Sequence, residues 1–388
     1  MKRLVWLMAL YCAISTPALA EADQSRIQAQ FSDALKSLDA GDAGGAAEKL
    51  GRLYTVTRAP RVRLEWARAL AASGQLAKAR EVLVEAYEDD PPPAVKVNIV
   101  TLIDRIDKLF GKFTFGLSLT RVRNPLNQPS DFQFNLGGYK LNSNQNTNKM
   151  NVFGVIYSLG YEKSFTNGLD VRSMNSFRDL PNSWGDYFSS DTSIGYTTGL
   201  SGIYGRLGLQ FFQETDNSFR LPYVEVGLKL DVSDRVSITP KVQLGYFDSL
   251  EGIGLSGPNY RISIPINYAV DPAKSFTVAP AIERRTTEFT EQSYTTFGIT
   301  LASSLNYESF SLGLSVVPTY TTFDKIDPFW GARRVDRSVY LSAEISSDRI
   351  RYKGFVPSIG LYYEMNRSTI PFYTRNDYGI SSSLKKLF

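Results

Sequence analysis

The chain has 388 residues, 43 % of them hydrophobic and 13 % aromatic, and its formal net charge at pH 7 is +4. This hydrophobic content excludes a disordered chain, and a mean hydropathy of −0.19 excludes a bundle of transmembrane helices. The chain has no histidine, which excludes Ser-His-Asp and Cys-His triads, HExxH zinc sites and histidine general bases. We therefore predict that the protein is not an enzyme.

Residues 1–20 are predicted to form a signal peptide. Two basic residues come first, an apolar stretch too short to span a membrane follows, and Ala18 and Ala20 place small side chains before a cleavage site at Glu21. The only cysteine, Cys12, lies in this segment, so the mature chain has no disulfide or thiolate site. Removal of the segment lowers the net charge to about +2, which leaves no basic excess that would indicate nucleic acid.

Residues 21–110 are predicted to form a helical domain. Apolar residues recur at helical spacing, and the pairs Gly41 and Gly74, and Leu50 and Leu83, show a repeat with an offset of 33 residues.

The second unit of this repeat resembles the tetratricopeptide repeat, in which small residues let two helices approach and large ones fill the gap between them. An ordinary bundle of four or five helices is the other interpretation. The positions that fit the repeat pattern are Ala67, Leu70, Gly74, Ala79, Leu83 and Pro91.

From residue 111 to residue 388 the apolar residues recur at every second position, the period of a β-strand. In the segment 223–232, for example, Val224, Val226 and Leu228 share one face, and Glu225 and Gly227 share the other. A soluble β-sandwich and a transmembrane barrel both alternate in this way. The barrel is favoured because the polar face is rich in Gly, Ser and Thr, because aromatic residues cluster at strand ends, and because a signal peptide delivers the chain to the periplasm.

We predict an all-β transmembrane antiparallel barrel of about 14 strands after a short all-α tetratricopeptide-like domain. Short and long connections alternate along the chain, and the strand number is even, as in outer-membrane barrels. Residues 130–142 have a second interpretation, a strand hairpin within the first outer loop. The predicted strands are 112–121, 151–162, 169–178, 190–199, 203–213, 222–232, 236–246, 259–269, 275–284, 293–305, 309–320, 335–346, 352–363 and 377–388.

The end of the chain resembles the signal that the barrel-assembly machinery reads, a terminal aromatic residue with apolar residues at alternate positions before it. The last strand is expected to pair with the first near Phe113 and Phe115, because an open strand edge in lipid is prohibitive. The residues of this signal are Tyr378, Ile380, Leu384 and Phe388.

Six residues near the bases of the outer loops are candidates for contact with a transported client. The alternative is that the arginines form ion pairs with acidic neighbours in the barrel wall. No Gly-rich phosphate loop and no ligand spacing for a metal occurs in the sequence, so neither a cofactor nor a metal is predicted. The candidates are Arg284, Arg285, Phe329, Trp330, Arg333 and Arg334.

The order of these elements resembles the surface lipoprotein assembly modulator (Slam) family, the type XI secretion translocons of Gram-negative bacteria. Residues 61–106 carry the resemblance locally, from RLEWARAL through AREVLVEAYEDDPPPAVKVNI to the helix before the barrel.

The resemblance implies transport of specific client proteins, either surface lipoproteins or soluble haem- and metal-acquisition proteins, from the periplasm to the cell surface. It implies a helical domain in the periplasm, and contacts with outer-membrane lipids, the barrel-assembly machinery and periplasmic chaperones. Two alternatives remain at this point, a polysaccharide export porin and a passive outer-membrane channel.

Overall fold

The computed structural model describes residues 24–122, 132–136, 139–143, 152–181, 185–198, 202–214, 218–251, 254–350 and 355–386. The predicted cleavage residues Ala18, Ala20 and Glu21, and the terminal Phe388, lie outside the described residues. The chain divides into two compact units, Met1–Ile106 and Asp107–Phe388. Within the described part, no helix is both long enough and apolar enough to cross a membrane.

The first unit is helical. Asp42 caps the second helix, because its Oδ1 accepts a hydrogen bond of 2.9 Å from the backbone N–H of Gly45. Gly74, with φ of +81°, lies in the turn between the third and fourth helices, a conformation that glycine adopts without strain. The helices are α1 (24–39), α2 (Ala43–Thr57), α3 (Pro60–Ala72), α4 (Leu76–Glu88) and α5 (Pro93–Phe110), which continues into the second unit.

The core of the helical unit contains both small and large side chains. Ala67 and Leu70 of α3 and Ala79 and Leu83 of α4 are buried. The alanines allow close approach of the helix backbones, and the leucines occupy the space between them. Pro91 is half-buried in the link between α4 and α5.

The second unit is a closed antiparallel barrel of fourteen strands, which confirms the predicted fold class. The strands are β1 (Lys112–Val122), β2 (Val152–Ser164), β3 (Leu169–Asp179), β4 (Tyr187–Thr197), β5 (Ile203–Glu214), β6 (Phe219–Leu228 with Leu230–Ser233), β7 (Val236–Ile238 with Lys241–Ser249), β8 (Gly257–Ser263 with Ile266–Asp271), β9 (Lys274–Arg285), β10 (Tyr294–Tyr307), β11 (Phe310–Asp327), β12 (Ala332–Ser347), β13 (Phe355–Ser368) and β14 (Arg375–Lys386).

Prolines account for the interruptions of β7 and β8, at Pro240 and Pro265. Proline has no backbone N–H to give to the ladder. Its carbonyl still accepts, however, and Leu228 N–H donates to the Pro240 carbonyl at 3.0 Å while Thr239 N–H donates to the Pro265 carbonyl at 2.9 Å. The sheet therefore continues through both sites.

The last strand closes the barrel against the first. Within the described residues, the register runs from Gly116, next to Phe115, opposite Lys385 to Val122 opposite Gly379. The hairpin interpretation of residues 130–142 is confirmed, because segments 132–136 and 139–143 pair with each other in a separate two-stranded sheet.

The two ends of the barrel differ in their connections. We call them the short-turn end and the long-loop end. The connections at the short-turn end are 165–168, 198–202, 234–235, 272–273, 308–309 and 348–354, and those at the long-loop end are 123–151, 180–186, 215–218, 250–256, 286–293, 328–331 and 369–374.

Side chains alternate between the outside of the barrel and its lumen. Tyr378, Ile380 and Leu384 of β14 are exposed on the outside, whereas Ser381 and Ser383 share the opposite face. The outer face is largely apolar and aromatic, as a transmembrane barrel presents to lipid, but on β3 and β4 it also carries Ser173, Asn175 and Thr192.

Charge placed on two adjacent residues of β10 tests this orientation. Leu301, near the middle of the strand, is exposed on the outer face. Ala302 is the next residue, so its side chain lies on the lumen face, opposite Ser315 in register. Leu301→Arg is expected to destabilise the barrel by about 2–4 kcal/mol, because it puts a cation in hydrocarbon. Ala302→Arg should cost much less, and the fraction of heat-modifiable folded barrel on SDS gels measures both. Equal losses for the two variants would contradict the assignment of faces.

Candidate functional site in the barrel lumen

One wall of the lumen carries a row of small, uncharged polar side chains. A row of five serines crosses five consecutive strands from β11 to β1, each opposite the next in register, and the hydroxyls of Ser358 and Ser383 are 2.6 Å apart. Small side chains here occupy little of the lumen. The row consists of Ser311, Ser346, Ser358, Ser383 and Ser118.

The facing wall, from β3 to β9, is charged. Neighbouring strands bring together lumen-facing residues that are far apart in sequence. Basic and acidic side chains alternate among them. Arg206 binds Asp170 at 2.8 Å and also donates to the Ser193 hydroxyl at 2.8 Å. The Lys241 ammonium binds Glu225 at 3.0 Å.

Two tyrosines lie flat on this charged wall because glycines stand opposite them. A Cβ atom at Gly227 would lie 2.5 Å from the Tyr204 ring, and one at Gly208 would lie 2.3 Å from the Tyr223 ring, so only glycine leaves room there. The hydroxyl of Tyr204 donates to Glu225 at 3.2 Å, and that of Tyr223 donates to Asp191 at 3.1 Å. The two glycines therefore determine the position of each tyrosine ring, and with it the position of the carboxylate that accepts from the hydroxyl.

The charged wall contains a cavity of about 490 Å³. Four basic side chains line it, together with the two carboxylates that the tyrosines hold. Its charged and tyrosine lining residues are Arg172, Arg206, Lys241, Arg261, Asp191, Glu225, Tyr204 and Tyr223.

At the long-loop end, aromatic rings line the inside of the barrel in a continuous belt. The ring centroids of Phe212 and Phe219 are 5.6 Å apart, and those of Phe219 and Phe247 are 4.8 Å apart. The Arg285 guanidinium lies 3.7 Å from the Phe247 ring centroid and 5.3 Å from that of Tyr294. The belt thus joins β5, β6, β7, β9 and β10 by stacking and cation–π contacts.

The predicted arginines near the outer loops fall into different environments. Arg284 shares the outward face with Ile282. Its Nη1 donates to Asp324 Oδ1 at 2.6 Å. Arg285, one residue later, faces inward and belongs to the aromatic belt. The alternation of the strand therefore separates two residues that the sequence analysis grouped together.

Arg333 and Arg334 lie at the start of β12. The Arg333 Nε donates to the Phe323 carbonyl at 2.5 Å, and Arg334 binds Asp336 at 2.7 Å and covers the Tyr373 ring at 3.5 Å. Burial raises the pKa of the Tyr373 hydroxyl above its ordinary value, although Arg334 acts in the opposite direction. The Tyr373 phenol is therefore neutral at physiological pH.

The two predicted aromatic residues lie in the connection between β11 and β12. Both backbone N–H groups donate to Asp327 Oδ1, at 2.9 Å from Phe329 and 3.1 Å from Trp330. Trp330 stacks on Phe372 of the next long loop with a centroid distance of 5.6 Å. The Phe329 side chain is 69 % exposed, so most of its surface is open to solvent.

Four basic residues of this wall were not predicted from the sequence: Arg172, Arg206, Lys241 and Arg261. Each occupies a lumen position of a strand that was predicted, but their meeting depends on the register between strands. The available signal was the pairing of Tyr and Gly at inward positions of adjacent strands. Among the described residues, no group of three or more acidic, Cys or His side chains is placed to hold a metal ion.

Several solved structures of outer-membrane proteins are similar to this chain at very low identity. The loop L8 deletion mutant of OmpT, an outer membrane protein of Vibrio cholerae, is 10 % identical over 71 % of this chain and 99 % of its own, with a TM-score of 0.39. The outer membrane channel DcaP of Acinetobacter baumannii is 7 % identical over 71 % and 96 %, with a TM-score of 0.40. A bacterial polysaccharide outer membrane secretin is 9 % identical over 71 % and 98 %, with a TM-score of 0.39. No curated protein sequence matches the chain.

A closed antiparallel barrel with an apolar outer face and a polar lumen defines an outer-membrane β-barrel protein. The family model of the surface lipoprotein assembly modifier matches residues 224–388, from β6 to the end of the chain. This part of the chain is thus similar to that family, in agreement with the resemblance found in the sequence. The barrel and this match support an outer-membrane translocon or channel.

Proposed function

We propose that this protein moves specific client proteins from the periplasm to the cell surface. The clients would be surface lipoproteins or soluble haem- and metal-acquisition proteins. The observation that carries the proposal is the family match over residues 224–388. The serine row supports it as well, because small uncharged side chains give a passage room for a polypeptide.

We further propose an orientation for the chain. Outer-membrane barrels have short periplasmic turns and long outer loops, so the short-turn end would face the periplasm. The predicted helical domain, residues 21–110, would then follow the signal peptide into the periplasm and hold the client there. The barrel-assembly machinery would read the end of β14, and periplasmic chaperones would deliver the client.

Among the predicted client contacts, Phe329 is the best placed for that role because most of its side chain is exposed. Arg284, Arg285 and Arg334 already bind acidic or aromatic neighbours within the barrel. Mutation of these arginines would distinguish a structural role, which lowers the amount of folded barrel, from a client contact, which lowers transport alone.

Protease shaving of intact cells tests the function. A lipoprotein encoded beside this chain would be produced with it and without it, and the cells would be treated with a protease that cannot enter them. We expect degradation of the lipoprotein at the surface only when this chain is present, with the same total amount of lipoprotein in both strains. Equal surface exposure without the chain would contradict the translocon and leave the polysaccharide export porin and the passive channel.

A further inference from the structure

The charged wall has a second cavity, which adjoins the first towards the short-turn end. Its volume is about 430 Å³, and it shares Arg172, Thr197 and Arg206 with the cavity of about 490 Å³. The second cavity is bounded by the end of β2, including Lys163, and by Phe165 in the turn between β2 and β3. The two cavities together form one elongated depression that runs from the short-turn end into the lumen.

Basic side chains outnumber acidic ones around this depression. Six basic residues line the two cavities, and four carboxylates accompany them. The excess of positive charge lies along this depression, where low-dielectric walls strengthen its field. The basic residues are Lys108, Lys163, Arg172, Arg206, Lys241 and Arg261, and the acidic residues are Glu162, Asp170, Asp191 and Glu225.

The basic residues differ in how firmly they are held. Arg206 and Lys241 make close ion pairs, at 2.8 and 3.0 Å. Arg172 lies 3.6 Å from Glu162, and Arg261 lies 3.9 Å from Glu283, distances too long for a hydrogen bond. Both guanidinium-bearing side chains are 53 % exposed. They can therefore turn towards a ligand without breaking a hydrogen bond to their carboxylates.

We propose that the depression binds an acidic segment of a polypeptide, with Arg172 and Arg261 as its carboxylate contacts. The planar guanidinium group matches a carboxylate with two parallel hydrogen bonds. The elongated shape fits an extended chain, since the two loosely held arginines lie on β3 and β8, at separate positions along it. The polypeptide nature of the ligand rests on the proposed function, and the preference for negative charge rests on the cavity alone.

Binding of fluorescein-labelled decaglutamate to the purified full chain in detergent tests the proposal. Fluorescence anisotropy at low salt would be measured for the wild type and for R172Q/R261Q. We expect the double variant to bind decaglutamate roughly tenfold more weakly, because two charge-assisted contacts are lost. Decalysine should bind the wild type at least as weakly as decaglutamate binds that variant.

A matched control removes two arginines outside the depression. Arg220 and Arg349 are exposed and paired with Asp248 and Glu308, so R220Q/R349Q changes the net charge by the same amount. This control should bind decaglutamate like the wild type, and all variants should keep the heat-modifiable mobility of a folded barrel. An equal loss in the control, or equal binding of decalysine and decaglutamate to the wild type, would overturn the site.

The two proposals fail in different ways. If decaglutamate binds as expected but the lipoprotein reaches the surface without this chain, the translocon is wrong and the acidic-segment site stands. If the lipoprotein depends on this chain for exposure but decaglutamate binding does not depend on Arg172 and Arg261, the site is wrong and the translocon stands.

Discussion

Replacing Gly379 by valine is expected to prevent closure of the barrel. Gly379 lies in β14, opposite Val122 of β1, and a Cβ atom there would lie 2.6 Å from the backbone oxygen of Arg121 and 2.3 Å from the Tyr362 ring. The ring could rotate, but the Arg121 oxygen belongs to the β1 backbone and can move only if the closing strands separate. Overpacking of this kind costs about 1–3 kcal/mol, and the open edges that result cannot be satisfied in lipid.

The amount of heat-modifiable barrel in outer-membrane fractions measures this effect. We expect roughly a tenfold loss for Gly379→Val, which corresponds to about 1.4 kcal/mol. Gly313→Val is the matched control, because Gly313 lies in a β11–β12 pairing and no heavy atom lies within 4 Å of a Cβ built there. Equal amounts of folded protein from the two variants would show that the contact with Arg121 does not limit closure.

Leu83→Ala is expected to unfold the helical unit and leave the barrel folded. The Leu83 side chain is 1 % exposed in the core of that unit. Truncation of a buried leucine to alanine costs about 2–5 kcal/mol, which is a large part of the stability of a domain of this size. The barrel is a separate compact unit, so its strand ladders do not depend on this side chain.

Limited trypsin digestion of the full chain in detergent checks this expectation. The helical segment of Leu83→Ala should be digested at trypsin concentrations that leave the wild-type segment intact, while the barrel keeps its heat-modifiable mobility. Val56→Ala provides the comparison, since the Val56 side chain on α2 is 77 % exposed and should tolerate truncation. A wild-type digestion pattern for Leu83→Ala would argue against a packed core around that residue.

The barrel could be predicted from the sequence because each strand carries its own signal. In β6, Val224 and Val226 face outwards and Glu225 faces the lumen, and this alternation is visible without knowledge of any other strand. The interruptions of β7 and β8 were less visible, since their prolines remove one hydrogen bond but leave the alternation of side chains intact.

The lumen site could not be predicted in the same way. Asp170 and Arg206 are 36 residues apart, and they meet only because β4 and its neighbours place them in one row. A shift of the register by one residue would turn one of the two side chains outwards. The positions of Arg284 and Arg285 show the same dependence, because adjacent arginines that look equivalent in sequence lie on opposite sides of the wall.

The serine row has a consequence for motion along the lumen. A serine hydroxyl is short and uncharged, and it both donates and accepts hydrogen bonds. In the proposed translocon, a passing peptide group can exchange one such hydrogen bond for another, or for water, with little change in free energy. The free-energy profile across this row is then nearly flat, so the five serines themselves resist the sliding of a chain very little.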